Sequence, residues 1–337
     1  MPHLKNSLIF VAAASVGVLS LAGCSTMGGT PVGAGASSGP AKTAAVIKGL
    51  DNPFFQSMES GIKAADGSVT VQAAQNITDT SGQADRLSSL AGQDFNCFII
   101  NPISGNNLLQ GVAQLKAAGK TVVNIDSPVD PKAAKAANAV PDTYIGTDNV
   151  SAGKLAGEQM AKLVKDGEKV GIIGGIAGDV TSGDRVTGFT QGLAGKAKVL
   201  ETESADWDRQ VALTKAGDLL RSNPDIKGFF VANDVMGLGV ARAVANAGLT
   251  GKVAIISVDG VPEGLAGVQS GELTATVAQY PYAIGEMGVQ ACKAAAAGQK
   301  LPASVKAPVA LVTKDNVGEA LKSAPAPFAP YDNPFKK

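Results

Sequence analysis

Most residues able to do polar or stacking chemistry stand just past the end of a short apolar run. The segments are Lys48-Gly49-Leu50-Asp51-Asn52-Pro53-Phe54-Phe55, Asn124-Ile125-Asp126-Ser127, Ala205-Asp206-Trp207-Asp208-Arg209, Ala232-Asn233-Asp234 and Val258-Asp259-Gly260. Together they hold flat rings, carboxylates, amides and a guanidinium, a set that suits one small polyhydroxylated ligand. Only 4% of the chain is aromatic, so the adjacent rings of Phe54 and Phe55 stand out as surfaces for stacking on a C–H face. Asp126 and Asp259 could each accept from two neighbouring hydroxyls, and such charge-assisted hydrogen bonds are strong. Plainer roles exist for each. Asn52 and Pro53 can open a helix that buries both phenylalanines, and the aspartates can cap or turn. Arg185, after Thr181-Ser182-Gly183-Asp184, can be a solvated helix residue. Trp207 is the single tryptophan, and its charged neighbours favour a cleft wall over a core.

Several chemistries are excluded. The one histidine is His3, near the N-terminus, so no Ser-His-Asp, Cys-His or His-based metal site can be built downstream. Gly171-Ile172-Ile173-Gly174-Gly175-Ile176-Ala177-Gly178 is glycine-rich but lacks the spacing of a dinucleotide site and the Lys-Ser/Thr of a P-loop. It reads as a tight strand-to-helix turn, and no cofactor is expected. Basic and acidic residues balance at 29 each with no basic run, which argues against nucleic acid.

The elements that must position these residues recur as strand plus helix. Apolar β-type runs begin near Ala44, Val69, Phe95, Val122, Tyr144, Val170, Val199, Gly228, Val253 and Ala275. Helical patterns lie between them, as at Ser151 to Lys165, where Asn149 or Ser151 can cap, and at Asp208 to Arg221. Continuous apolar strands fit parallel sheets buried on both faces. The expected fold class is α/β, with two doubly wound parallel-sheet lobes. In such chains ligands bind beyond the carboxyl ends of the strands. Cys97 falls in an apolar strand and Cys292 in an Ala-rich helix. Export would permit a disulfide, but the expectation is two small buried cysteines. The Pro-rich stretch from Ala324 reads as an extended surface segment.

At the start, Lys5 precedes an apolar run from Leu8 to Leu21, and Leu21-Ala22-Gly23-Cys24 follows. This reads as a signal peptide over 1–23, ending in a bacterial lipobox whose Cys24 is acylated. Residues 24–42 then form the anchor and a flexible Gly/Ser/Thr/Ala/Pro tether. The expected location is outside the cytoplasm, held to the cell membrane.

From residue 43 to 316 the chain resembles bacterial periplasmic sugar-binding proteins of the ribose-binding type, the receptors of sugar ABC importers. The resemblance rests on Asn52-Pro53-Phe54-Phe55, Ile100-Asn101-Pro102, Thr147-Asp148-Asn149-Val150, Ala205-Asp206-Trp207-Asp208-Arg209, Asn233-Asp234, Asp259-Gly260 and Ala275-Thr276-Val277-Ala278-Gln279. It implies a type I periplasmic binding protein fold with a three-segment hinge. One lobe would be 43–147 plus 280–308, the other 148–279 plus 309–320, with a tail at 321–337. It also implies that Asn52, Phe54, Phe55 and Asp126 face the ligand from the first lobe. Arg185, Trp207, Asn233 and Asp259 would face it from the second, with Gln279 at the crossover. Lys48 and Trp207 resemble the D-allose-binding branch. Ser127 departs from ribose-binding proteins, in which an Arg follows the Asp.

The reading implied is a monomeric receptor that closes on a monosaccharide or small polyol and delivers it to a permease driven by a separate ATPase. An exported sugar-processing enzyme using paired carboxylates and a sensory receptor component are the alternatives. A repressor of the same fold would need an N-terminal helix-turn-helix, where this chain has a lipobox and tether.

Overall fold

The computed structural model describes residues 40–328 and 330–336. The signal peptide, Cys24 and the tether up to residue 39 lie outside the described residues.

Strand and helix alternate from the first described element. The first set is β1 (Thr43–Ile47), α1 (Pro53–Ala65), β2 (Thr70–Ala73), α2 (Thr80–Ala91), β3 (Cys97–Ile100), α3 (Leu109–Ala117), β4 (Thr121–Ile125), α4 (Pro131–Ala136) and β5 (Thr143–Thr147). The second is α5 (Asn149–Leu163), β6 (Lys169–Gly174), α6 (Val180–Leu193), β7 (Lys198–Ser204), α7 (Arg209–Ser222), β8 (Ile226–Val231), α8 (Asp234–Asn246), β9 (Ala254–Asp259), α9 (Pro262–Ser270) and β10 (Ala275–Gln279). The chain then passes through α10 (Pro281–Ala296), β11 (Ser304–Ala307), β12 (Val309–Thr313) and α11 (Val317–Ser323).

Two six-stranded sheets result, ordered β11-β5-β4-β3-β1-β2 and β12-β10-β9-β8-β6-β7. Among the described residues, every pairing is parallel except β12 against β10. The chain crosses between lobes three times: from β5 to α5 through Asp148, from β10 to α10 through Tyr280, and from β11 to β12 through Pro308. Central strands are buried on both faces, as in Ala44, Ala45, Val46 and Ile47 of β1, which explains their unbroken apolar runs.

Helix starts follow their caps. Asn52 accepts from the Phe54 amide, with Pro53 opening α1, and Asp208 accepts from Val211 in α7. The helix expected from Ser151 begins at Asn149, and its cap is neither Asn149 nor Ser151. Asp148 accepts from the Ser151 amide, leaving the Asn149 side chain free for another task. Helices α5 and α6 meet at glycines: a Cβ on Gly153 would lie 2.0 Å from the Arg185 carbonyl, and one on Gly188 would lie 1.9 Å from that of Val150. This close approach sets Arg185 against the start of α5.

Cys97 and Cys292 are not the two free thiols expected. They form a disulfide with Cα atoms 5.8 Å apart. Helix α10 returns from the second lobe and packs on β3 and β4, which brings together two cysteines 195 residues apart. Neither local sequence carries a sign of the other. The bond ties the returning helix to the sheet formed by the N-terminal strands.

Candidate functional site

Loops at the carboxyl ends of β1, β2, β3, β4, β6, β7, β8 and β9 converge on one cavity between the lobes. Nine expected residues share its wall: Lys48, Asn52, Phe54, Phe55, Asp126, Arg185, Trp207, Asn233 and Asp259. Gln279 ends β10 at the crossing between lobes, beside Asp259, and its buried Oε1 has no hydrogen-bond partner among the described residues. Its Nε2 donates to Asp259 Oδ1 at 2.6 Å and so orients that carboxylate.

The first lobe supplies a cation, an amide, rings and a carboxylate. Lys48 Nζ donates to Ser127 Oγ at 2.7 Å and stands 5.3 Å from the Phe55 ring centre. Ser127 Oγ in turn donates to Asp126 Oδ2 at 3.1 Å. Burial lowers the Lys48 pKa, opposed by the charges of Asp126, Asp179 and Asp259. The Phe54 and Phe55 rings meet edge to face, with centres 5.2 Å apart at 76°. Both belong to the core under α1 while presenting atoms to the cavity, so the packing and ligand-facing roles coincide. Asp126 sits at φ 58°, a left-handed conformation that favours glycine. Its carbonyl accepts from Tyr144 Oη at 2.5 Å, which holds the turn. Strained residues of this kind cluster at functional sites.

The second lobe supplies a guanidinium, an indole, an amide and a carboxylate. Arg185 is 4% exposed, so the solvated-helix role does not apply. Its Nε donates to Asn149 Oδ1 at 2.8 Å and its Nη1 to the Ala232 carbonyl at 2.7 Å; Nη1 also lies 3.3 Å from Asp259 Oδ1. The guanidinium carbon stands 5.8 Å from the Trp207 ring centre. Trp207 is half-buried at φ 62°, and its indole lies where a Cβ on Gly175 would approach it to 2.2 Å. Asn233 Oδ1 accepts from Met236 and caps α8, leaving its amide nitrogen without a partner among the described residues.

Asp259 ends β9 at φ 130°. Its Oδ1 takes Gln279 and Arg185, while Oδ2 has no hydrogen-bond partner among the described residues. Burial pushes this carboxyl up, against the pull of Arg185. Behind it Asp234 is fully buried. Asp234 accepts from Ser257 Oγ at 2.5 Å, Thr276 Oγ1 at 2.7 Å and the Val261 amide at 2.9 Å, fixing the turn after Asp259.

Five wall residues carried no flag in the sequence: Ile77, Ile103, Ile176, Asp179 and Thr181. All follow strand ends, as the expected residues do. The isoleucines look like ordinary core, and Asp179 looks like the helix cap it also is, accepting from the Ser182 amide at 2.8 Å.

A cleft between two doubly wound lobes, lined from both and crossed three times at its base, defines a solute receptor of the hinged, two-lobe class. The chain belongs to the family of the periplasmic binding protein domain, which it matches over residues 43–300. It is 38% identical over 257 residues to the D-allose-binding periplasmic protein of Escherichia coli, covering 74% of this chain and 83% of that one. It is 33% identical over 276 residues to the ribose import binding protein of the same organism, covering 80% and 90%. A solved ABC transporter solute-binding protein from Actinobacillus succinogenes with bound D-allose superposes with a TM-score of 0.78 at 27% identity, covering 82% of this chain and 99% of that one. The chain is a solute-binding protein and not an enzyme.

Proposed function

We propose that this protein is the sugar-binding component of an ABC importer, closing its two lobes on a monosaccharide. The observation that carries the reading is the composition of the shared cavity. Phe54, Phe55 and Trp207 offer ring faces, Asp126 and Asp259 offer carboxylates, and Lys48, Asn52, Arg185 and Asn233 offer donors. Such a wall matches a ring with apolar C–H faces and a polar hydroxyl rim. Similarity to proteins named for D-allose and ribose supports the same class of ligand.

Within that class, we favour an allose-like hexose over ribose, with a small polyol as the second choice. The reason lies at Lys48 and Ser127. An Arg fork would fix two oxygens of the ligand at once, whereas Lys48 presents a single ammonium already engaged by Ser127. Lobes at 43–147 with 280–308, and at 148–279 with 309–320, are the division we assign to the moving bodies. In this reading a membrane permease and separate ATPase receive the closed, monomeric receptor. Cys24 holds it to the membrane through lipid.

Calorimetric titration with D-allose, D-ribose and a polyol series tests the ligand. D-Allose is expected to bind most tightly and to change Trp207 emission. A sugar at 100 times its dissociation constant stabilises the fold by about 2.7 kcal/mol. Tight ribose binding with no response to D-allose or polyols overturns the ligand choice. No response to any sugar overturns the class.

A further inference from the structure

We propose that the described residues 324–328 and 330–336 form a strap across the hinge that biases the lobes toward the arrangement in this structure. The segment leaves α11, which packs against α9 and β12 of the second lobe. The Phe328 ring meets Tyr280, the residue crossing from β10 to α10, with ring centres 6.4 Å apart at 69°. Tyr331 packs against two core clusters at once, one that joins Tyr280 and Ala283 at the crossing to the second-lobe core and one that holds β1, β3 and α10 of the first lobe. Beyond it, Phe335 packs on the first-lobe core alone. Asn333 Nδ2 donates to Gln290 Oε1 of α10 at 2.8 Å, and Lys336 pairs with Glu286 of α10 at 3.2 Å.

One end of the segment is therefore fastened to the second lobe and the other to the first. Lobe opening moves α10 relative to α11, and one set of anchors must then slip. The strap keeps both sets of anchors only while the lobes stand close enough for the segment to span from α11 to α10. It also walls a cavity of about 390 Å³ whose other lining includes Phe54, Asp259 and Gln279. Phe54 and Asp259 border the ligand cleft too, so the cavity beside the strap and the cleft share two wall residues. A strap that raises the population of the binding-competent form tightens apparent affinity by that factor. Its action on the hinge does not depend on which sugar binds.

The test compares the full chain with a chain ending at Ser323. Small-angle scattering without sugar is expected to give a larger radius of gyration for the shortened chain. Saturating D-allose should bring the two to the same value. D-Allose should bind the shortened chain roughly 5- to 30-fold more weakly. Should the shortened chain fail to fold, Tyr331→Ala in the full chain carries the same comparison. Identical sugar-free scattering for the intact and altered chains overturns the strap. That scattering comparison needs no ligand. A failure of D-allose to bind therefore refutes the ligand reading alone, and the strap stands or falls on the sugar-free measurement.

Discussion

At the residue scale, the cleft is built from side chains that serve two ends at once. Asn52 and Asn233 cap helices through their oxygens and keep their amide nitrogens for the cavity. Arg185 is held by Asn149, whose position at the β5-to-α5 crossing ties the guanidinium to the hinge. Asp259 is the most sensitive member. Burial, with the like charge of Asp234 behind it, raises its pKa well above the ordinary carboxylate range, and burial raises that of Asp234 as well. A raised folded pKa means that the fold holds the proton more tightly than the unfolded chain does. The contribution of Asp259 to stability is thus fully present below its ordinary value and is lost as pH rises through its raised one. Sugar binding runs the other way, because the ionised carboxylate is the stronger acceptor. We expect affinity to weaken by up to roughly tenfold per pH unit below the raised pKa. Asp259→Asn should bind more weakly and with a flatter pH profile. Titrations across this range check the point, and a flat wild-type profile would speak against Asp259 as an ionised acceptor.

At the element scale, the notable link is between β3 and α10. The first lobe is discontinuous: its last helix and strand, α10 and β11, arrive only after β6 to β10 of the second lobe. The Cys97–Cys292 bond closes that gap covalently across 195 residues. Cross-linking so long a stretch restricts the unfolded chain, with stabilisation of roughly 2–5 kcal/mol. Replacing both cysteines by alanine should lower the urea midpoint accordingly. Sugar binding by the folded fraction should survive, because neither sulfur lines the cleft. An unchanged midpoint would mean that packing of α10 on β3 and β4 holds the lobe without the bond.

At the scale of the whole molecule, two lobes and three crossings make a receptor whose affinity is also its conformational equilibrium. A ligand touching Phe55 and Asp126 on one side and Trp207 and Asp259 on the other favours closure because only the closed form offers both sets. In the import role proposed above, an anchor would keep the receptor at the membrane, the role we assign to Cys24. We expect Cys24→Ala to abolish lipid labelling and release the protein from membrane fractions. Full retention of the variant in those fractions would remove the anchor from the account.

Much of this is legible in the chain alone. Apolar runs of strand length, spaced by helical patterns, specify parallel sheets, because strands buried on both faces need side chains that shun water throughout. Polar and aromatic residues at the ends of those runs mark the cleft, since parallel strands bring their carboxyl ends to one edge. Tertiary structure decided the rest. That Gln279 orients Asp259 through its Nε2 is a contact between two neighbouring strands that neither local sequence shows. Ile77, Ile103 and Ile176 join the wall although an isoleucine in a sequence looks the same in a core or a cleft. Cys97 and Cys292 pair because α10 returns across the first sheet, a long-range contact with no local signature. The Pro-rich end reads locally as an extended segment, and its described residues lie in turns and irregular backbone. That it spans the hinge follows only from where Tyr331 and Phe335 come to rest.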